Sequence, residues 1–248
     1  KLVSLQLELL LQMWKTESRV YPCLQKALEK PDIDNISPSV CGEIAVAKSK
    51  VIAEICKSKP HQYGADLLRL LSDILNQCCS QITNIIDVGI QSTFVAAANV
   101  ALEGIVTLCQ EGVIDIATTV KVLSPKLKNN PRPEISAKFI ELLAISPSFK
   151  LDTPEYECFV KDSLEYLWSI ACKPREKSAL SESITPSISD TNSISSHRYV
   201  RLNAISAISK FDLEYHDLKM MPCYAKERLK LPPAYCATPS DAARKPED

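Results

Sequence analysis

Glycine is scarce in this 248-residue chain, with five in all, and aromatic residues make up only 6%. So few glycines leave little room for backbone loops that cradle phosphates, and neither G-x-x-x-x-G-K-[ST] nor G-x-G-x-x-G occurs. Charge of one sign is also lacking. The 29 basic and 30 acidic residues give a formal net charge of −1, which argues against direct nucleic-acid binding and attraction to an anionic membrane. No stretch approaches eighteen uninterrupted apolar residues, so no membrane span is expected. There is no G-x-S-x-G elbow and no H-E-x-x-H. Histidine occurs three times, at His61, His197 and His216, each near an expected helix start or in a loop. The chain is therefore not expected to be an enzyme, and no catalytic, metal-ligating or cofactor-binding residue is assigned.

Cysteine and proline are plentiful, at ten and sixteen. The cysteines form no CxxC pair and no Cys/His cluster of zinc type. Most occupy apolar positions of helical patterns, such as Cys56 in "VIAEIC" and Cys109 in "IVTLC". They read as buried free thiols, which suits a reducing cytosol. Many prolines and few glycines fit helices opened and ended by proline.

Apolar residues recur at spacings of three and four along most of the chain, and no useful period-two alternation appears. Leu2, Leu5, Leu9, Leu10 and Met13 mark the expected inner face of a first helix, about 1–15. Further helices are expected over about 19–29, 39–59, 61–79, 92–110, 115–127, 134–146, 153–172 and 197–211. Ser37–Pro38 and Thr153–Pro154 read as an N-cap followed by a first-turn proline, and Gly112 as a left-handed C-cap. The fold class is all-α. The chain opens inside an amphipathic helix without Met or a signal-peptide layout, as expected of a fragment of something longer.

Helix pairs start roughly 40–55 residues apart, the range of helical-hairpin repeats of HEAT and armadillo type. A HEAT/armadillo-like solenoid is therefore expected, with a compact helical bundle as the competing fold. Residues 1–172 would hold the hairpins, 173–196 a Ser/Thr-rich disordered loop, 197–232 a final helix and irregular segment, and 233–248 a polar tail. The final helix, "RYVRLNAISAISKF", explains itself in this frame. Val200, Ala204, Ala207, Ile208 and Phe211 would face one neighbour, and Leu202, Ile205 and Ser209 another side. Its polar members Arg201 and Asn203 are candidate structural or interaction residues. "VRLNAISAI" resembles a pattern of second helices in HEAT repeats, in which the Arg reaches an Asp of the neighbouring repeat, and Arg201 holds that place. "KPHQYGADLL" gathers His61, Tyr63 and Gly64 at a helix junction. It reads either as a recognition feature or as a turn in which Gly64 relieves backbone strain.

Several longer strings carry a resemblance: "LLLQMWKTESRVYPCLQ", "AEICKSKPHQYGADLLRLLSDILNQC", "VKVLSPKLKNNPRP" and "TPEYECFVKDSLEYLWS". Spread in order over most of residues 5–172, they resemble the central helical region of the focadhesin family. The resemblance implies a non-enzymatic scaffold that binds protein partners along a helical surface. It also implies a link to focal adhesions, and to the Ski helicase complex that feeds cytoplasmic RNA to the exosome. The alternative is an RNA-binding helical-repeat module, which needs a basic stripe with stacking aromatics.

Overall fold

The computed structural model describes residues 2–30, 37–128, 130, 132–149, 151–172, 188–212 and 215, with side chains described from residue 198 onward in the last helix. The described residues hold no strand, and the fold is all-α. In order, α1 is Leu2–Thr16, α2 Tyr21–Glu29, α3 Pro38–Ser58, α4 Pro60–Asn84, α5 Val88–Gln110, α6 Ile116–Leu127, α7 Pro133–Leu143, α8 Pro154–Ala171 and α9 Ile188–Ile208. Short 3-10 turns lie at Ser18–Val20 and Ser146–Ser148.

Local chemistry sets most boundaries. Proline opens α3, α4, α7 and α8 at a first-turn position, where its missing N–H leaves no bond unmade. Asp87, Asp115 and Thr153 cap α5, α6 and α8 by accepting backbone N–H groups. Ser37 has the extended backbone of an N-cap, but its side chain makes no capping bond. The expected left-handed stop is present at Gly112, with φ of 69°. Gly112 N–H donates to the Cys109 carbonyl and Val113 N–H to that of Leu108, both at 3.0 Å, the paired bonds of a Schellman motif.

The chain divides into two units, Lys1–Ser146 and Pro147–Asp248. In the first, the odd-numbered helices lie against one another in chain order, α1 on α3, α3 on α5 and α5 on α7. They run the same way. Lys15 pairs with Glu54 at 2.7 Å, and Lys59 donates to Ser18 at 2.8 Å, separations of 39 and 41 residues. Gly42 abuts Thr93, and Gly104 abuts Ala53, each pair 51 positions apart. The even-numbered helices keep the same direction. Glu29 and Arg69 are 4.0 Å apart, and Asn130 donates to the Cys79 thiol at 3.8 Å across 51 residues. Lys126 also bonds Asn76. Successive helices α4 and α5 are antiparallel, since Gly64 meets Leu108 while Leu71 meets Gly104.

Small residues make the α3–α5 contact close. Gly42, Ala45, Ser49 and Ala53 are buried on α3, as are Ala97, Ala98, Ala101 and Gly104 on α5. Ser49 keeps its buried hydroxyl bonded to the Ala45 carbonyl at 2.8 Å, which spares an unpaired polar group. By length and composition α5 could cross a membrane, but 61% of its most apolar window is buried among its neighbours. That is the position of a central core helix.

The two interior glycines give a paired prediction. A Cβ on Gly42 would overlap Thr93 Oγ1 and lie 3.1 Å from Thr93 Cβ, and Thr93 is held by its bond to Ile90 O at 2.7 Å. Overpacking should outweigh the gain in helix propensity, so Gly42→Ala should destabilise by about 1–2 kcal/mol. At Gly104 the nearest atoms are the Leu71 methyls at 3.3 Å. They can give way, and Gly104→Ala should stay within about 0.5 kcal/mol of the parent in urea denaturation.

In the second unit α8 packs on α9. Tyr156, Val160, Leu164, Leu167 and Ala171 are buried on α8, and Ala204, Ala207, Ile208 and Phe211 on or just after α9. Two expectations need correction. α9 begins at Ile188, nine positions before the expected 197, and takes in the end of the Ser/Thr-rich segment. Elongating a helix already nucleated by a packed turn costs little, even through poor helix formers. The rest of that segment, 173–187, and the expected irregular segment and tail from 216 lie outside the described residues.

The second correction concerns α1. Leu2, Leu5, Leu9 and Met13 are exposed, Leu9 at 56% and Met13 at 54%, whereas Leu7, Leu11 and Trp14 are buried. The helix is apolar on two sides, and the periodicity alone pointed to the outer one.

Candidate interaction sites

The junction around His61, Tyr63 and Gly64 is built by four helices of the first unit. A single residue, Lys59, separates α3 from α4. This tight turn sets the first turn of α4 against the α1–α2 corner. Tyr63 stacks on Tyr21 with ring centroids 3.7 Å apart and planes at 22°. It also meets the Trp14 ring edge-on at 6.0 Å. Lys59 places Nζ 5.4 Å from the Trp14 centroid while donating to Ser18, a cation–π contact that ties the corner to the turn.

Burial deepens the joint. Trp14 and Tyr21 are 2% and 7% exposed, and neither the Trp14 Nε1–H nor the Tyr21 hydroxyl has a protein partner. Burial, with the charge of Asp66 second, pushes the Tyr21 hydroxyl up to about 12. Removing an unpaired buried hydroxyl sheds a desolvation penalty, so Tyr21→Phe should be neutral or stabilise by up to about 1 kcal/mol in thermal denaturation.

Gly64 does something other than expected. Its backbone is helical, the positive φ being at Gly112. A side chain there would overlap Leu108 Cδ2 and lie 3.2 Å from Val113 Cγ1. Gly64 thus admits the end of α5 rather than relieving strain in a turn. His61 lies exposed on the first turn of α4. Trp14, Tyr21 and Lys59 were not singled out from the sequence. The signal available was their spacing: Tyr21 and Tyr63 lie 42 residues apart, within the roughly 40–55 residues expected between starts of helix pairs.

In the second unit Arg201 donates from Nε to the carbonyl of Ala171 at 3.0 Å. Ala171 is the last residue of α8, where carbonyls lack intrahelical partners and the helix dipole favours a cation. Arg201 therefore closes a helix end rather than reaching an Asp. Asn203 donates to Tyr199 O at 3.0 Å on its own helix. The two candidate groups belong to separate units.

A ladder of ion pairs crosses the odd-numbered helices. Lys15 meets Glu54, and Lys57 meets Glu103 at 2.7 Å. Their hydrogen bond raises the Lys57 pKa and lowers that of Glu103, which also feels Lys138 of α7. These groups are well exposed, so the pairs fix register more than they add stability. Cys56, Cys78 and Cys109 are buried, and burial pushes Cys56 up to about 12 and Cys109 to about 11. Such thiols are inert at neutral pH. Among the described residues no three His, Cys, Asp or Glu side chains are grouped to hold a metal ion.

A family profile described as Focadhesin/RST1, DUF3730 matches residues 1–184. Human focadhesin is 36% identical over 171 residues, covering 68% of this chain and 9% of the human protein. Zebrafish focadhesin is 34% identical over 173 residues, 69% of this chain and 9% of its own length. The chain thus spans about a tenth of the relatives it matches. No solved structure matches. With a profile covering most of its length and relatives above 30% identity over two thirds of it, this chain belongs to the focadhesin family.

Proposed function

We propose that the chain is a stretch of HEAT/armadillo-like solenoid acting as a non-enzymatic, protein-binding scaffold. One observation carries the reading. Odd helices stack on odd helices in parallel, at separations of 39 to 51 residues. In an up-down bundle the closest neighbours are antiparallel, whereas stacked hairpin repeats place like helices side by side. Such a stack offers rows of exposed side chains to partners and has no need of a deep pocket. Family membership supports the same role, since focadhesin is not a known enzyme family. The partners we favour are the Ski helicase complex of cytoplasmic RNA decay and proteins of focal adhesions, with the cytosol as the compartment.

The test is a titration of the purified chain with purified Ski helicase complex, with a focal-adhesion fraction and, separately, with single-stranded RNA. A protein complex that persists as salt is raised supports the scaffold. Binding to RNA alone, weakening steeply with salt, would replace it with the nucleic-acid module.

A further inference from the structure

We infer that the outer apolar stripe of α1 is an intramolecular docking surface. Its occupant is another helix of the same polypeptide, running parallel to α1 and lying ahead of it in sequence. The inference rests on the stacked-repeat reading above and extends it by one position.

The argument is one of continuity. Within the first unit α3 is covered by α1 on one side and α5 on the other, and α5 by α3 and α7. Both carry buried residues around most of their circumference, as two-sided burial requires. α1 has the same two-sided composition but is covered on one side only. Leu7, Leu11 and Trp14 are buried, while Leu2, Leu5, Leu9 and Met13 stand 54% to 85% exposed. Spacings of three, four and four put these four residues on one continuous strip, the shape that takes a second helix. The odd helices on the other side of α1 run parallel to it, so the next member of the row would run parallel too. The human and zebrafish relatives extend far beyond the matched stretch, which is 9% of their length.

Hydroxyl-radical footprinting of the 248-residue chain and of the complete natural polypeptide tests this. In the chain alone Leu9 and Met13 should label readily and Trp14 should not. In the complete polypeptide Leu9 and Met13 should label about fivefold more slowly, because susceptibility follows exposure. Leu5→Glu with Leu9→Glu in the complete polypeptide should restore Met13 labelling, leaving Trp14 protected. Equal labelling of Met13 in both forms, with Trp14 protected, would overturn the docking proposal and leave the stack intact. Protection in the chain alone that grows with concentration would make a second copy the occupant and overturn it likewise. Labelling of Trp14 in both forms would mean that α1 does not lie on its neighbours, and the stacked-repeat reading would fall first.

Discussion

Truncating Trp14 to Ala should lower the unfolding free energy by about 3–5 kcal/mol, while Leu9→Ala in the same helix should change it by no more than about 0.5 kcal/mol. The two residues sit five positions apart on α1, one 2% and the other 56% exposed. Trp14 closes the joint among α1, α2 and α4: it meets Tyr63 edge-on and lies beneath Lys59. Its removal leaves a void lined by rigid rings, and the surrounding helices can relax into it only partly. Leu9 touches water on its outer side, so truncation there removes surface that was never fully buried. Urea denaturation of the two variants and the parent provides the comparison. Similar losses for both would mean that the faces of α1 have been assigned wrongly.

The second large effect is alkaline. Burial pushes the Cys56 thiol from 9.0 up to about 12 and the Cys109 thiol from 9.0 to about 11. Both groups stay neutral in the folded chain at pH values where the unfolded chain has already released the proton. Their contribution is fully present below pH 9, fades as pH rises, and is gone above about pH 11 for Cys109 and pH 12 for Cys56. At pH 10.5 an unfolded thiol lies about 1.5 units above its midpoint, so each costs about 2 kcal/mol and the pair about 4 kcal/mol relative to pH 8. Denaturation at the two pH values under reducing conditions measures the drop. In Cys56→Ala/Cys109→Ala the drop should be smaller by about that amount, whatever the variant's stability at pH 8. An unchanged pH dependence would show that these thiols are not shielded as described.

How much of this was legible beforehand differs by element. Proline and capping residues located the starts of α3, α7 and α8 to within a residue or so, because a missing N–H or a side-chain acceptor acts on its own turn. Gly112 was legible for the same reason: a positive φ is a local demand. Packing was harder to read. On α1 both sides are apolar, and nothing in a single sequence says which neighbour is present. Glycines at 42, 64 and 104 act through residues that lie 33 to 51 positions away in sequence, so their role needed the register. The Arg201 contact is a further instance. A motif suggested an Asp partner, but the nearest acceptor proved to be the open carbonyl end of α8. α9 starts early because cooperativity carries a packed helix into a segment whose composition argues against it. Family membership was legible only through the longer strings, because no short motif carries it.

Engineered disulfides test the parallel stack most directly. Gly42→Cys/Thr93→Cys and Ala53→Cys/Gly104→Cys each join α3 to α5, at opposite ends of their contact. Mild oxidation followed by peptide mapping reads out each bridge. If the two helices stack in one register as neighbouring repeats, both bridges should form, each in its own variant, with the fold retained. An antiparallel or sliding pair brings at most one of them within bonding distance. Formation of only one bridge, or of neither, would contradict the account.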